Sequence, residues 1–437
     1  MSSDGGSRRA GAGFLALSVA LCLGMACGPV LSMGAGEGAG AVDAGLADPG
    51  ELAALRTLGP WPPQWSGPPR DPGNPVSGRA DAVALGWRLF ADRGLSADGT
   101  LACIDCHRPD RALADGLPRS VGRTVLARHA PSLWNAGLQR WQGWDGAADS
   151  LWSQSIRPLL DRHELAATPV HVAARIGADP GLSCRHRGVF GMAPDARTPA
   201  AAERTLVQAA QAIGAWLATL VSGRTAFDDY RDARLRGDLA AAARYPAEAR
   251  RGLALFIGEG RCTQCHGGPL FSHGEFADIG RPHFSAPGVV DRGREAGIEA
   301  LRASPYALTG PWAAVFSPAA SSAGPTMADP ALTTRLLRPQ PRNLGEFRIP
   351  SLRNVAATPP YTHDGSLATL DDMLRHYAEL DLDRLHADGS ELLRPLGWTA
   401  AQRADVIAFL RTLDDPGAHH LPVPPDPAAH CDPAPRP

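Results

Sequence analysis

Two pentapeptides of the form Cys-x-x-Cys-His contain the residues with the clearest chemical potential in this chain. They are Cys103-Ile104-Asp105-Cys106-His107 and Cys262-Thr263-Gln264-Cys265-His266. Each places two thiols about one helical turn apart, which suits thioether bonds to the vinyl groups of a haem, and adds an imidazole as an iron ligand. A pair of zinc or redox Cys-x-x-Cys motifs is the alternative, but both copies carry the trailing histidine. The spacing therefore predicts two covalently bound haem c groups.

The bulk composition is that of an ordinary globular protein. The chain has 437 residues, 44% hydrophobic and 20% charged, and a formal net charge of −2. This length allows two domains with separate cores. The balanced charge gives no basic surface for nucleic acid. All 43 basic residues are arginine, a side chain that can bind haem propionates through two hydrogen bonds.

The N-terminus has the pattern of an export signal. Arg8 and Arg9 precede an apolar run over residues 14–26, which is short for a membrane span. Cys27 follows this run and is a candidate for lipidation; cleavage within residues 33–41 and an uncleaved anchor are the alternatives. Each alternative predicts a periplasmic or otherwise exported protein, with a membrane tether if the N-terminus is lipidated or retained.

An internal repeat indicates how the chain is organised. Gly86-Trp87-Arg88-Leu89-Phe90 precedes the first haem motif, and Gly252-Leu253-Ala254-Leu255-Phe256 precedes the second. The shared Gly-x-x-Leu-Phe, each time closing an amphipathic helix, predicts a mainly α fold with two cytochrome c-like haem domains and long loops, related by internal duplication. The expected segments are a signal and leader (1–41), a Pro/Gly-rich N-terminal segment (42–80), an N-terminal haem domain (81–235), a C-terminal haem domain (236–420) and a Pro-rich tail (421–437).

Other helix signals lie between and after the haem motifs. Residues 201–221 have helical periodicity, Pro246 opens the helix that leads to the second motif, and Thr399 begins a capping box before a closing core helix. Residues 268–345 read as loop-heavy, and no alternating strand pattern is evident.

Two cysteines remain outside the leader and the haem motifs. Cys184 and Cys431 could form a disulfide in an oxidising compartment and so tie the tail to the middle of the chain. The sequence leaves this pairing open, because it does not give the distance between the two residues.

The first haem motif is followed by no evident second iron ligand. Between His107 and His129 there is no histidine or methionine, so the iron there is expected to keep an open face for an oxidant. Farther downstream the chain carries a set of chemically distinctive positions: Trp144, Gln154, Pro158 and Glu164, then the stretches 347–355 (FRIPSLRNV) and 360–367 (PYTHDGSL).

On these residues the chain resembles the bacterial di-haem cytochrome c peroxidase and MauG family over about residues 82–415. The resemblance implies that Trp144 relays electrons between the haems, that Gln154 and Pro158 lie on the distal side of the first haem, and that Glu164 is the catalytic acid–base group. A carboxylate in a semi-apolar pocket can move a proton between the two oxygens of peroxide.

The resemblance also concerns the second haem and a metal. It implies Tyr377 as the sixth ligand, a choice typical of MauG-like members, whereas Met373, one turn earlier, is the rival. It further implies a calcium ion bound by the backbone of Thr358 and Pro360. The asparagine that completes this site in the family corresponds to His129, and Asn135 is the alternative ligand.

Three functions follow from this reading. The leading hypothesis is a di-haem peroxidase that reduces hydrogen peroxide at the open N-terminal haem with electrons from a small c-type cytochrome or another donor. The second is MauG-like oxidation of side chains in a partner protein, which Tyr377 favours. Gly260 argues against one known route of this reaction, since the tryptophan-maturing MauG has a surface tryptophan there. The third is a non-enzymatic electron-transfer cytochrome.

Overall fold

The molecule is built mainly from α-helices, as expected. The computed structural model describes residues 49–63, 70–281, 284–316, 330–385 and 392–432; the predicted leader and Cys27 lie outside them. The α-helices are α1 (Pro49–Thr57), α2 (Ala80–Phe90), α3 (Cys103–Cys106), α4 (Leu151–Leu160), α5 (Pro169–Ala178), α6 (Pro180–Phe190), α7 (Pro199–Leu217), α8 (Ala226–Arg236), α9 (Leu239–Ala242), α10 (Ala247–Ile257), α11 (Arg294–Ala303), α12 (Pro311–Phe316), α13 (Pro330–Leu336), α14 (Leu370–Ala378) and α15 (Ala400–Arg411).

Only short strands accompany the helices in the described ranges. Strand β1 (Phe276–Ala277) pairs antiparallel with β4 (Phe347–Arg348), and β2 (Phe284–Ala286) pairs with β3 (Val289–Val290). Strands of two or three residues are too short to leave an alternating pattern in the sequence.

The first hydrophobic core forms around the long helix α7. Helices α2, α4 and α5 pack on it, and its residues from Leu206 to Leu217 are buried. The crossing with α2 is close because Gly86 has no side chain: a Cβ there would lie 1.9 Å from the carbonyl oxygen of Ala212. This crossing holds α2 directly before the first haem motif.

The second core repeats the same kind of crossing. Helix α10 packs on α15, and a Cβ on Gly252 would lie 1.9 Å from the carbonyl oxygen of Asp405. The predicted capping box is present, since Thr399 Oγ1 accepts a hydrogen bond from the backbone N–H of Gln402 and the Gln402 side chain accepts one from the N–H of Thr399. In both Gly-x-x-Leu-Phe stretches the glycine therefore lets its helix contact the backbone of the partner helix directly.

The tail of the described chain is fixed to the first core. Cys184 on α6 and Cys431 form a disulfide with a Cα–Cα distance of 5.7 Å, so the pairing that the sequence left open is present. Asp426 adds ion pairs with Arg88 and Arg185, at 3.0 and 2.8 Å. The residues around Asp426 and Cys431 thus pack against α2 and α6.

The structure bears on two further expectations, the loop-heavy character of residues 268–345 and the boundary between the haem domains. Residues 268–345 were expected to be loop-heavy, but they contain α11, α12 and α13. The apolar period in α11 is only Ile298 and Leu301, too short to stand out among glycines and charged residues. The domain boundary at 235/236 stays a prediction, although α8 packs into the second core through Phe227 and Tyr230.

No helix within the described ranges has both the length and the apolar character that a membrane crossing needs.

Candidate active site

The first Cys-x-x-Cys-His motif lies at the wall of a cavity. Helix α3 supplies Cys103 and Cys106, whose thiols are unpaired and half-buried, and its N-terminus is capped by the Asp105 carboxylate, which accepts a hydrogen bond from the N–H of Ala102 at 2.8 Å. His107 follows at once, and all three motif residues line the cavity. The one-turn helix therefore brings both thiols and the imidazole to the same wall.

The His107 ring is held by one nitrogen. Its Nδ1 lies 3.0 Å from the carbonyl oxygen of Leu113. Leu113 has a positive φ of 62°, and Ala112 before it has a positive φ of 49°. This turn aims the carbonyl at the ring, so Nδ1 carries the proton and Nε2 keeps its lone pair. Burial lowers the pKa of His107, which favours the neutral form that ligates a metal.

The second motif repeats this arrangement on different elements. Cys262 and His266 line a second cavity, and His266 Nδ1 lies 2.9 Å from the carbonyl oxygen of Phe271. Phe271 also has a positive φ, of 51°. Burial lowers the pKa of His266 to about 4. Two half-buried thiols and one neutral imidazole, beside a partly apolar cavity, are the donor set that a c-type haem requires, and the residues of both sites fit that group.

Helix α4 carries two of the predicted distal residues. Gln154 and Pro158 both line the first cavity. The helix begins at Ser150, whose Oγ accepts from the N–H of Ser153, and the carboxylate of Asp71 accepts from the N–H of Leu151 at 2.7 Å. These caps satisfy backbone donors at the N-terminus of α4 and fix the helix relative to the cavity.

Glu164 faces the same cavity from the turn after α4. The turn folds back on the helix, because the N–H of Leu165 donates to the carbonyl of Pro158 at 3.1 Å. The Glu164 side chain is half-buried and makes no hydrogen bond or ion pair within the described part of the chain. Burial raises the pKa of Cys103 and Cys106 and the charge of Glu164 adds to this, so the carboxylate lies near both thiols.

The environment of Glu164 makes it a weak acid. Burial and, to a smaller extent, the charge of Asp161 raise the pKa of Glu164 to about 7, although the guanidinium of Arg157 opposes both effects. A carboxyl group with a pKa near neutrality can both accept and return a proton during a reaction. Gln154, on α4, lines the same cavity as Glu164. The Oε1 atom of Gln154 is 3.5 Å from Nη1 of Arg157.

Trp144 lies in the wall that separates the two cavities, since it lines both of them. Its indole is buried and donates to the carbonyl of His129 at 2.8 Å, and its own carbonyl accepts from the N–H of Arg348 at 2.8 Å. One hydrogen bond from the ring and one to the backbone therefore hold Trp144 in the wall between the two haem motifs.

Arg348 also belongs to this wall, although no role for it was predicted from the sequence. It is buried, lines both cavities, and donates to Gln139 Oε1 and to the carbonyl of Gly143 at 3.0 Å. No acidic side chain pairs with it in the described ranges, and burial lowers its pKa to about 10. Arg348 belongs to the distinctive sequence stretch 347–355, but only the fold shows that its side chain lines both cavities.

Tyr377 and Met373 both line the second cavity from α14. Burial raises the pKa of Tyr377, and the nearby thiols of Cys262 and Cys265 add to this. The Tyr377 hydroxyl makes no hydrogen bond within the described residues. The two candidates lie one turn apart on one face, so the choice of Tyr377 stays a prediction.

Only some of the residues expected to bind calcium present an oxygen that a cation could use. Thr358 and Pro360 line the second cavity. Asn135 is buried and already accepts from the N–H of Ser222 at 2.9 Å, so its carbonyl is in use. His129 directs Nδ1 at the carbonyl of Leu117, at 3.2 Å. Neither side chain presents an unused oxygen to a cation.

Gly260 is covered by an indole. A Cβ at this position would lie 2.7 Å from the ring of Trp398, which is buried and lines the second cavity. A tryptophan at position 260 would have to displace Trp398. The packing explains why this chain has glycine there.

Comparisons with known proteins agree with this geometry. The sequence model of the family described as di-haem cytochrome c peroxidase matches residues 80–236. The chain is 31% identical to the methylamine utilization protein MauG of Methylorubrum extorquens (85% of this chain, 88% of the relative) and 32% identical to the cytochrome-c peroxidase IdrP1 of Denitromonas iodatirespirans (83% and 87%). A crystal structure of a MauG-like protein associated with microbial copper homeostasis superposes with a TM-score of 0.61 at 26% identity, over 84% of this chain and 99% of that one.

Proposed function

Because the chain belongs to the di-haem cytochrome c peroxidase and MauG family, we propose that it reduces hydrogen peroxide at the cavity next to His107. The observation that carries the proposal is the placement of Glu164, an unpaired carboxyl group with a pKa of about 7, in the cavity that also contains the first Cys-x-x-Cys-His motif. Electrons reach this cavity from the second one through the wall that contains Trp144.

The chain holds both haem groups covalently in this proposal. Cys103, Cys106 and His107 bind the first, and Cys262, Cys265 and His266 bind the second. When bound, the haem would supply an iron that gives electrons to peroxide and takes them from a donor. Arg348, buried without an acidic partner in the described ranges, is suited to bind a propionate group in the wall.

Glu164 moves the proton that O–O cleavage needs. Its carboxylate accepts the proton of the peroxide oxygen nearer the haem and returns it to the outer oxygen, which leaves as water. The amide of Gln154 orients the peroxide by hydrogen bonding. Pro158 has no backbone N–H, so it adds an apolar surface beside the peroxide and no competing donor.

The second cavity is the electron-transfer site. Tyr377 is proposed as the residue that would bind the iron of the second haem together with His266, because its hydroxyl has no other partner within the described residues, with Met373 as the alternative. A phenolate favours the oxidised iron relative to a thioether, so the site would store an oxidising equivalent. Trp144 carries electrons between the two sites.

Three further proposals concern the origin of the two haem domains, a calcium ion and the cellular location of the protein. The matched crossings at Gly86 and Gly252 support two haem domains that arose by duplication. A calcium ion at the backbone oxygens of Thr358 and Pro360 would need ligands other than Asn135. The apolar run over residues 14–26 supports export to the periplasm, with a lipid anchor at Cys27 as one form of it.

MauG-like oxidation of a partner protein is the second candidate. Tyr377 at the second cavity favours it. The packing of Trp398 over Gly260 weighs against the route through a surface tryptophan at that position. The chain could still oxidise a partner from another surface.

The test uses the holoenzyme, hydrogen peroxide and a reduced small c-type cytochrome. The proposal expects two cytochromes oxidised for each peroxide consumed. A protein that consumes no peroxide would refute it. Peroxide consumption without cytochrome oxidation, together with a mass change in a co-expressed partner protein, would favour the MauG-like reaction instead.

A further inference from the structure

Aromatic rings lead from His107 to the opposite side of the first core. The ring centroid of Phe90 is 6.4 Å from that of His107, Trp216 is 4.4 Å from Phe90, and Trp87 is 5.3 Å from Trp216. Phe90 and Trp216 are buried. Trp87 is half-buried and lines neither haem cavity. The rings make contact in sequence from the proximal histidine to a partly exposed indole.

The second half of the molecule shows that packing alone does not require these indoles. Trp216 lies four residues after Ala212, the contact of Gly86, and Phe409 lies four residues after Asp405, the contact of Gly252. Phe409 meets Phe256 with centroids 5.0 Å apart. The counterpart of Trp87, directly after the glycine, is Leu253. A phenylalanine and a leucine therefore build the same crossing beside His266.

We propose that Trp216 and Trp87 conduct oxidising equivalents from the first haem site to the surface, and that Trp87 is the residue modified when no electron donor is present. The proposal rests on the proposed peroxidase function. Indole is much more easily oxidised than the phenyl ring and the alkyl side chain at the matching positions Phe409 and Leu253, and tryptophan stands at both positions only in the half that contains the peroxide cavity.

Oxidation of Trp87 by one peroxide removes two electrons from the indole. Trp216 gives an electron towards the site of His107 and regains one from Trp87. A second transfer of the same kind leaves the Trp87 ring short of two electrons, and a water molecule adds to it with loss of two protons. The sum is one tryptophan and one hydrogen peroxide converted to one hydroxytryptophan and one water. Trp216 Nε1 has no hydrogen-bond acceptor within the described residues, so that ring keeps its proton and can be reduced again.

The test is peptide mass spectrometry of the holoenzyme after peroxide treatment in oxygen-18 water, without a donor and without dioxygen. The proposal expects oxygen-18 in Trp87, because the added oxygen comes from water. Met192, which is 42% exposed, is an internal control: peroxide oxidises it directly, so its sulfoxide carries unlabelled oxygen. Trp141, buried and outside both cavities, should stay unmodified.

Two variants test whether Trp87 is oxidised through Trp216 or only because its side chain is partly exposed. Trp216→Phe, which copies Phe409, should abolish the label at Trp87 and leave the Met192 sulfoxide in place. Trp216→Tyr, which restores an oxidisable ring, should bring the label back. An unchanged label in Trp216→Phe, or an unmodified Trp87 in wild type that consumes peroxide, would overturn the inference alone. A wild-type protein that leaves peroxide unconsumed would overturn the proposed function as well.

Discussion

Replacement of Glu164 by glutamine should remove the proton transfer while keeping the shape of the cavity. The side chain has no hydrogen-bond or ion-pair partner to lose within the described residues. General acid–base catalysis by a positioned side chain contributes about 10²–10⁴-fold. We therefore expect the second-order rate constant for the reaction with peroxide, measured by stopped-flow absorbance of the haem, to fall by a factor in this range.

The pH dependence follows from the raised pKa. Burial puts the pKa of Glu164 at about 7, and only the ionised form can accept the proton of peroxide. The wild-type rate constant should be level above pH 7 and should fall about tenfold for each pH unit below it, as the carboxylate is protonated. In Glu164→Gln this titration should be absent.

Asp161→Asn is the matched control. The Asp161 charge raises the pKa of Glu164, so its removal should move the midpoint of the pH profile to lower pH without abolishing the reaction. The amide keeps an oxygen for the hydrogen bond that Oδ1 accepts from the N–H of His163. A Glu164→Gln enzyme with wild-type rates and the wild-type pH profile would refute this role for Glu164.

Three further substitutions test other parts of the account. Tyr377→Phe should change the low-spin spectrum of the second haem, and Met373→Leu should not; the reverse result would make Met373 the ligand. Trp144→Phe should slow electron transfer between the haems, followed by stopped-flow with reduced cytochrome, and unchanged kinetics would remove the relay role. Cys184→Ser should lower the free energy of unfolding by about 2–4 kcal/mol in denaturant titrations, because the disulfide to Cys431 closes a loop with a sequence separation of 247 residues; a reduced wild type should show the same loss.

Local signals in the sequence were sufficient to find the two Cys-x-x-Cys-His motifs and several helices. The Cys-x-x-Cys-His spacing identifies both motifs without tertiary information, and the capping box at Thr399 lies where α15 begins. The close crossings at Gly86 and Gly252 were visible as a repeat, because each glycine is required by a backbone contact.

Features that depend on distant segments could not be read in the same way. Arg348 reaches both cavities only because β4 packs beside the segment of Trp144. The Cys184–Cys431 disulfide depends on a distance that no local pattern encodes. Helical periodicity places Met373 and Tyr377 on one face, and the structure brings both to the same cavity, so position alone does not choose between them.

The most direct test of the central claim is an electron paramagnetic resonance spectrum of the ferric holoenzyme before and after addition of peroxide. The account predicts one high-spin signal, from an iron ligated only by His107 on the protein side, and one low-spin signal from the iron with two protein ligands. Peroxide should abolish the high-spin signal. Two low-spin signals that peroxide leaves unchanged would contradict the account.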